Sequence, residues 1–301
     1  MIQLPDSDRH HDNSLLLFQQ KISLDRRPPN LQRFFMPNSP HLCHQLIDVA
    51  LEAGRIIMKH YHAGFDVSVK DDKSPVTLAD TDAEAIILAA LEKIVPEIPV
   101  ISEEAASQGM IPDIGKRFFL VDPLDGTKEF IRHNDEFTVN IGLIEDRLPT
   151  MGIVYAPALS RMFFAPAPTE AFELELPCNA RPQLDRAQKL QVRTPPPQGL
   201  TAAVSRSHID ADTDRFLETF KIAERRPAGS SLKFCLIAAA QIDLYPRTGP
   251  TMEWDTAAGQ AILQGAGGSV TIDDGTMLLY GKGEAGYKNP PFTAWGNVTK
   301  P

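Results

Sequence analysis

Hydrophobic residues recur at helical spacing in two segments near the start of the chain. Leucine, valine, isoleucine and alanine repeat at intervals of three and four residues over 42–57 and again over 83–94, so both segments are predicted to form amphipathic helices. Short apolar runs bounded by turn residues predict five strands, at 99–102, 117–121, 138–144, 151–156 and 161–165. Beyond residue 200, predicted strands at 201–205 and 243–245 alternate with predicted helices at 212–220, 231–240 and 255–263. This alternation indicates an α/β arrangement.

Composition narrows the classes of function. The chain has 301 residues and a net charge of −9, and such an acidic balance is not typical of proteins that bind nucleic-acid polymers. There is no run of about 18 apolar residues, so no transmembrane segment is predicted. Cys43, Cys178 and Cys235 are widely spaced and lack a metal-type pairing. They favour a reducing, cytoplasmic compartment over a disulfide scaffold.

The chain is predicted to have three parts. Residues 1–40 carry paired histidines, arginines and prolines with one apolar cluster, and they lack the features of a secretory signal. We expect a flexible N-terminal extension there. The stretch rich in proline and arginine over 177–197 predicts a crossing between two halves. These halves are an α+β half over 41–180 and an α/β half over 181–301.

One stretch joins an apolar strand to two carboxylates. The segment 118–121 ends at Asp122, and Asp125, Gly126 and Thr127 follow after Pro-Leu. Carboxylates suit a hard divalent cation, and the N–H groups of a turn that opens a helix suit a phosphate. An EF-hand loop does not fit, because counting back from Gly126 puts a valine at the first ligand position. Phosphatases with an aspartyl nucleophile have one residue between the carboxylates, not two. A turn followed by a helix cap stays open as the simple alternative.

Further carboxylates stand at the edges of other predicted elements. Glu103 and Glu104 follow the first predicted strand, Asp80 precedes the second helix, and Asp255 opens the last one. Each has a simpler explanation on its own. Asp80 can complete a capping box with Thr77, Asp255 can cap its helix, and the two glutamates can form a solvated turn. Taken together with the two carboxylates above, however, they form a recognisable pattern.

The pattern resembles the inositol monophosphatase family of magnesium-dependent, lithium-sensitive sugar phosphatases. A Glu-Glu pair after a strand, Asp-Pro-Leu-Asp-Gly-Thr and Trp-Asp-Thr-Ala-Ala occur in that order, at 103–104, 122–127 and 254–258. Softer features, such as Lys-Glu-Phe after Asp-Gly-Thr and Gly-Ser-Ser-Leu-Lys at 229–233, are similar to the 3′(2′),5′-bisphosphate nucleotidase branch. The resemblance implies an α+β, α/β fold: the layered αβαβα sandwich of the inositol monophosphatase and fructose-1,6-bisphosphatase type.

The resemblance also implies a site in which the first half holds metal ions and the second half receives substrate. Two or three Mg²⁺ ions are expected, with ligands from Glu103, Asp122, Leu124, Asp125 and Asp255. Catalytic roles are implied for Asp80, Glu103 and Thr127. Substrate contacts are implied for Glu103, Leu124, Asp125, Gly126, Thr127, His208, Ser230, Lys233, Arg247 and Asp255. Spacing places Ser230 and Lys233 on one face of a helix start, where a serine cap and a solvated lysine are an equal alternative.

The reaction implied by the branch is removal of the 3′-phosphate from adenosine 3′,5′-bisphosphate by a metal-activated water, giving AMP and phosphate. This reaction would clear a by-product of sulfate assimilation. Two alternatives stay open: hydrolysis of inositol or another sugar monophosphate, and a metal-binding regulator without turnover. The expected partner is a small phosphorylated molecule. A homodimer, and a peripheral position on the cytoplasmic face of the inner membrane as in related bacterial enzymes, also stay open.

Overall fold

The structure is a computed structural model that describes residues 39–64, 67–69, 75–204 and 211–298. His208 and all but the last two residues of the predicted N-terminal extension lie outside the described residues. No helix within the described ranges has both the length and the apolar character needed to cross a bilayer.

The helices and strands follow in chain order. The α-helices are α1 (Ser39–Ala63), α2 (Leu78–Ile94), α3 (Glu103–Ser107), α4 (Thr127–Ile131), α5 (Ala211–Leu217), α6 (Leu232–Ala238) and α7 (Ala257–Gly265). The first nine strands are β1 (Val67–Val69), β2 (Pro75–Thr77), β3 (Val100–Ser102), β4 (Arg117–Asp125), β5 (Thr138–Glu145), β6 (Leu148–Ala156), β7 (Arg161–Ala167), β8 (Glu170–Glu175) and β9 (Gln188–Lys189). The later strands are β10 (Leu200–Val204), β11 (Ile222–Pro227), β12 (Leu244–Arg247), β13 (Thr251–Met252), β14 (Ser269–Ile272), β15 (Lys288–Asn289) and β16 (Phe292–Trp295).

A seven-stranded sheet runs in the order β3-β4-β5-β6-β7-β8-β9. Strands β3 and β4 are parallel, and the other neighbours are antiparallel. Its central strands are buried on both faces, as their continuous apolar sequences require. Helices α1 and α2 cover one face, and they form a core that includes Leu46, Ile57 and Ile87.

Helix α7 packs on the opposite face of this sheet at very short range. Gly142 and Gly152 lie opposite each other on β5 and β6. A Cβ atom on Gly142 would lie 2.9 Å from the Cβ of Ala257, and one on Gly152 would lie 2.4 Å from the carbonyl oxygen of Ala258. The glycines and the alanines at the start of α7 therefore allow a close approach that larger side chains would prevent. This packing fixes the position of the residues that precede α7.

A five-stranded sheet, in the order β11-β10-β12-β16-β14, forms the next layer. Helices α6 and α7 lie between the two sheets and share one apolar core with them. Helix α5 covers the outer face, where Leu217 packs with Leu244 and Trp295. The layers are thus helices, sheet, helices, sheet and helix, so the predicted αβαβα sandwich is confirmed.

Several boundaries differ from the sequence-based predictions. Helix α1 extends beyond both ends of the predicted segment 42–57. The helix predicted to begin at residue 255 begins at Ala257. The predicted crossing at 177–197 contains the short strand β9, which adds the last strand to the seven-stranded sheet. Strands β1, β2, β8, β9, β11, β13, β14, β15 and β16 were not predicted.

Candidate active site

The two carboxylates of the central motif stand at an irregular end of β4. Asp122 pairs with Asn140 on β5, and after a register shift Asp125 pairs with Thr138. The backbone N–H of Leu124 donates to Oδ1 of Asp122 over 3.1 Å, which holds the turn between the carboxylates. Gly126 follows with a φ of 94°, a left-handed conformation that favours glycine. The strand end thus presents both carboxylates together with the backbone carbonyl of Leu124.

Asp80 and Thr127 are joined by a hydrogen bond. The Thr127 hydroxyl lies 3.0 Å from Oδ1 of Asp80 and donates to it. The other oxygen of Asp80 accepts from the backbone N–H and the hydroxyl of Thr77, at 2.8 and 2.7 Å. The capping box considered from the sequence is therefore present. It also holds the buried Asp80 carboxylate against the motif at the end of β4.

Glu103 reaches the same place through the parallel pairing of β3 with β4. Ser102 pairs with Val121, so Glu103, which follows β3, comes to lie beside Asp122, the next residue of β4. The Glu103 side chain is near enough to Asp122 to add, after burial, to the rise in the pKa of Asp122. The neighbouring Glu104 is buried, so the solvated turn considered from the sequence does not describe this pair.

Asp255 completes the acidic cluster from the segment before α7. Its Oδ2 accepts from the backbone N–H of Met252 over 2.8 Å. Burial, followed by the charges of Asp125 and Glu103, raises the pKa of Asp255 well above its usual range. Burial, followed by the charges of Glu103, Asp125 and Asp255, does the same to the pKa of Asp122. The structure therefore brings together four carboxylates, and the charges of their neighbours add to burial in disfavouring the charged forms of Asp122 and Asp255.

This donor set fits a hard divalent cation. Carboxylates and a backbone carbonyl are the ligands that Mg²⁺ and similar ions prefer, and a bound cation relieves repulsion within a buried acidic cluster. No three acidic, histidine or cysteine side chains in the described part of the chain are already arranged around one ion position. The fit therefore rests on the charge and the chemistry of the donors. Glu103, Asp122, Asp125, Asp255 and the carbonyl of Leu124 are the groups that could hold ions.

A cavity of about 200 Å³ adjoins Asp125 and Asp255 on the side of the second half. Of the predicted substrate contacts, five line it: Asp125, Ser230, Lys233, Arg247 and Asp255. Its wall is made by the residues Asp125, Lys128, Glu129, Ala228, Gly229, Ser230, Ser231, Lys233, Phe234, Tyr245, Arg247, Thr251, Asp255, Thr256 and Phe292. Glu103, Leu124, Gly126 and Thr127 stand outside this wall, at the acidic cluster or next to it.

Lys233 is deeply buried in this wall. Its ammonium group donates to the carbonyls of Ser230 and Ala228, at 2.8 and 3.3 Å, and lies 4.9 Å from the centre of the Tyr245 ring. Burial is the main reason that its pKa falls to about 8. The solvated lysine considered from the sequence is therefore not what the structure contains.

Two other cavity residues have unusual surroundings. Nε of Arg247 is buried and has no hydrogen-bond partner in the described structure, while its Nη2 donates to the carbonyl of Pro250 over 3.1 Å. A buried unpaired donor is unfavourable, so this group is suited to an acceptor in the cavity. Ser230 has a φ of 42°, and its hydroxyl lies 3.3 Å from that of Thr138.

Sequence reasoning missed two polar residues beside the carboxylates. Oδ2 of Asp125 accepts from the backbone N–H of Ser231 and the side-chain amide of Asn140, at 2.6 and 3.2 Å. The Ser231 hydroxyl lies 2.7 Å from the same oxygen and 2.5 Å from the carbonyl oxygen of Asp255, and its single proton can be donated to either. Asn140 interrupts an otherwise apolar strand, and a polar residue at such a position is a signal that could have identified it. Ser231 offers only its place as the second serine of the Gly-Ser-Ser motif.

A protein-family model described as the inositol monophosphatase family matches residues 41–296. The chain is 43% identical over 253 residues to the 3′(2′),5′-bisphosphate nucleotidase CysQ of Salmonella typhimurium, covering 83% of this chain and 98% of that protein. It is also 43% identical over 250 residues to the protein of the same name from Escherichia coli strain K12, covering 82% and 97%.

Solved structures agree with these matches. A crystal structure of CysQ from Bacteroides thetaiotaomicron, titled a bacterial member of the inositol monophosphatase family, superposes with a TM-score of 0.72 at 33% identity. The match covers 88% of this chain and 99% of that one. An inositol monophosphatase from Thermotoga maritima has a TM-score of 0.66 at 24% identity, covering 83% and 89%, and it supports the fold alone. The family and branch resemblances drawn from the motifs are confirmed.

Proposed function

This chain belongs to the inositol monophosphatase family, and we propose that it removes the 3′-phosphate of adenosine 3′,5′-bisphosphate to give AMP and phosphate. It is a phosphoric monoester hydrolase, and the relatives that match it over nearly their whole length are named 3′(2′),5′-bisphosphate nucleotidases. One structural observation carries the choice of a bisphosphate. The cavity beside the acidic cluster is lined by the buried Lys233 and the half-buried Arg247, two cations that suit a second anionic group.

The acidic cluster is proposed to hold Mg²⁺. Enzymes of this family are in general metal-dependent. We assign Glu103, Asp122 and the carbonyl of Leu124 to one ion, and Asp122, Asp125 and Asp255 to a second. When bound, such ions lower the pKa of a water molecule and neutralise negative charge on a phosphoryl group. The repulsion among these carboxylates supports the assignment, because it raises the pKa of both Asp122 and Asp255.

Asp80 and Thr127 are proposed to move the proton. The Thr127 hydroxyl donates to Oδ1 of Asp80, so the Thr127 oxygen can accept a hydrogen bond from an attacking water. As that water loses its proton, the Thr127 hydroxyl can pass its own proton to Asp80. Glu103, which lies beside Asp122, is proposed as the other carboxylate in reach of the reaction. No serine or cysteine nucleophile is needed in this scheme.

The cavity is proposed to receive the phosphate that is not hydrolysed. The guanidinium of Arg247 has an unpaired buried Nε, and an arginine fork matches phosphate oxygens well. The ammonium group of Lys233, which donates to the carbonyl of Ser230, would add a second positive charge next to the turn at residues 229–231. A monophosphate has no group for this cavity, so the proposal predicts a preference for the bisphosphate.

The deciding experiment compares two substrates. Phosphate release would be measured from adenosine 3′,5′-bisphosphate and from inositol 1-phosphate, each with Mg²⁺ and with excess EDTA. We expect Mg²⁺-dependent release with a clear preference for the bisphosphate. Equal or greater kcat/KM for inositol 1-phosphate would favour the sugar phosphatase alternative. Tight Mg²⁺ binding without release from either substrate would favour a regulator.

A further inference from the structure

The hydroxyl of Ser231 lies between two of the acidic segments. Its Oγ is 2.7 Å from Oδ2 of Asp125 and 2.5 Å from the backbone carbonyl oxygen of Asp255. The Ser231 backbone N–H also donates to Oδ2 of Asp125 over 2.6 Å. Asp125 ends β4, Ser231 directly precedes α6, and Asp255 precedes α7. One buried side chain therefore touches a carboxylate of the first half and the backbone of the second.

Asn140 extends this contact to a third element, strand β5. Its amide Nδ2 lies 2.9 Å from Oγ of Ser231 and 3.2 Å from Oδ2 of Asp125. The orientation of the amide is fixed from the other side, because the Thr138 hydroxyl donates to Oδ1 of Asn140 over 3.0 Å. Asn140, Ser231 and Thr138 are all buried. In such surroundings a hydrogen bond does not compete with water, so it restrains geometry strongly.

The contacts also decide which oxygen of Asp125 is available. The backbone N–H of Ser231 and the amide of Asn140 donate to Oδ2, and the Ser231 hydroxyl shares its one proton between Oδ2 and the carbonyl oxygen of Asp255. No donor to Oδ1 is found among the described residues. Asp125 also attracts the buried ammonium of Lys233, a charge that would draw a free carboxylate away from the acidic cluster. Ser231 and Asn140 restrain Asp125 against such a movement through their contacts with Oδ2.

We propose that Ser231, supported by Asn140, is a positioning residue that holds Asp125 in place as a cation ligand and joins it to the segment of Asp255. The inference rests on the proposed function, since it assumes that Asp125 is a ligand. Groups that orient a ligand in this way contribute to cation affinity without touching the ion. Sequence spacing alone would assign Ser231 only to a helix start.

The test is the variant Ser231→Ala, examined by direct cation binding as well as by activity. Mn²⁺ would serve as the probe, titrated by calorimetry and by the paramagnetic resonance signal of the free ion, without substrate. We expect the dissociation constant of at least one bound ion to rise about 10- to 100-fold. Turnover should recover largely at saturating Mg²⁺, because the backbone N–H of Ser231 and the ligands themselves remain.

A buried hydroxyl elsewhere provides the matched control. Thr271 accepts a hydrogen bond from Nε1 of Trp295 over 2.9 Å on the five-stranded sheet. Thr271→Val should lower the metal-free melting temperature while leaving Mn²⁺ affinity unchanged. If Ser231→Ala behaves in the same way, Ser231 has a purely structural role and the inference is wrong. If Ser231→Ala does not fold, Asn140→Ala carries the same prediction, and unchanged affinity there would overturn it.

This experiment separates the inference from the proposed function. Wild-type protein that binds Mn²⁺ but does not hydrolyse adenosine 3′,5′-bisphosphate would refute the function and leave the positioning role standing. Hydrolysis by the wild type, with unchanged ion affinity in Ser231→Ala, would refute the positioning role alone. Wild-type protein that binds no Mn²⁺ would overturn both.

Discussion

Replacing Lys233 by methionine should remove most of the preference for a bisphosphate substrate. The lysine is deeply buried in the wall of the cavity beside Asp125, and its neighbour in that wall is Arg247. A substrate with a second phosphate would meet this charge, whereas a monophosphate held at the acidic cluster would not. Methionine has a similar length and apolar character, so it keeps the packing while removing the charge. We therefore expect a loss that depends on the substrate.

The size of the loss follows from the contact that is removed. A hydrogen bond to a charged group contributes about 1.5–3 kcal/mol, and about 1.4 kcal/mol corresponds to a factor of ten. The kcat/KM for adenosine 3′,5′-bisphosphate should therefore fall roughly 10- to 100-fold. The variant also leaves the carbonyls of Ala228 and Ser230 without their donor. That structural effect reaches both substrates, so the ratio of the two kcat/KM values is the quantity that tests the reasoning.

The pKa of Lys233 adds a dependence on pH. Burial lowers this pKa to about 8 from 10.5, so the free enzyme loses the charge as pH rises through that value. Bound cations repel a proton on Lys233 further. The wild-type kcat/KM for the bisphosphate should therefore begin to fall at or below about pH 8, and the methionine variant should lack this fall.

The free energy of unfolding should increase over the alkaline range in which kcat/KM falls. Between about 8 and 10.5 the unfolded chain holds a proton on Lys233 that the folded chain has released. The unfolding free energy of metal-free wild type, relative to the methionine variant, should therefore rise with pH in this window. The slope should approach about 1.4 kcal/mol per pH unit. Below the window both states are protonated, and the difference should be constant.

The assay is phosphate release from both substrates at saturating Mg²⁺, from about pH 6.5 to about 9.5. Lys116→Met is the control, because Lys116 is exposed at the other end of β4 and pairs only with Asp146. It should alter neither the substrate ratio nor the pH profile. Two results would refute the role given to the Lys233 charge. One is an equal loss of kcat/KM on both substrates in Lys233→Met, and the other is a fall of kcat/KM at alkaline pH in the variant that matches the wild type.

Three further predictions concern the acidic cluster and its packing. Asp122→Asn should lower Mg²⁺-dependent turnover by more than about 100-fold, since replacing even a residue that only orients a ligand lowers metal affinity or activity about 10- to 100-fold. The melting temperature of this variant in EDTA should not fall, because a buried charge is removed. Near-normal turnover would contradict the two-ion assignment. Millimolar Li⁺ should inhibit phosphate release, as the family resemblance implies, with K⁺ at equal ionic strength as the control. Full activity at Li⁺ concentrations above that range would count against the family mechanism. Gly152→Ala should destabilise the fold by about 1–3 kcal/mol and raise the Mg²⁺ concentration needed for activity, because the new Cβ would lie 2.4 Å from the carbonyl of Ala258. The control is Gly115→Ala, whose new Cβ would meet nothing within 4 Å. Equal effects of the two variants in melting and activity assays would refute the packing argument.

The elements that the sequence predicted best are those that carry their own pattern. Helices α1 and α2 have a long apolar stripe, and the first central strands are continuous apolar runs. Strand β11 has the sequence Ile-Ala-Glu-Arg-Arg-Pro and is mostly exposed. It is a strand because it lies at the edge of a sheet and pairs with β10. Such an element depends on its neighbour, so its own residues give no period from which to predict it.

The carboxylates could be found because each stands next to a strand or helix boundary in the sequence. Strand ends that are parallel neighbours meet at one edge of the sheet, which is how Glu103 comes to lie beside Asp122. The surroundings of Lys233 could not be found in this way. Spacing placed it on an accessible helix start, whereas packing between the two sheets buries all of α6. Burial of one lysine depends on the tertiary arrangement, which local sequence does not encode.

The close packing of α7 on the sheet and the negative charge of the acidic cluster have opposing effects on the stability of the fold. Gly142 and Gly152 let α7 approach the sheet closely, which brings Asp255 towards Asp125. The same approach raises the repulsion that makes charged Asp122 and Asp255 unfavourable. A cation bound among these carboxylates removes that repulsion, and any ligand that binds only the folded state stabilises it. If these carboxylates hold ions as proposed, ion binding and the contact between the sheet and α7 are one linked equilibrium, because Asp122 and Asp125 stand on the sheet and Asp255 precedes α7. A change that loosens the contact between the sheet and α7 should weaken ion binding even when every carboxylate is kept.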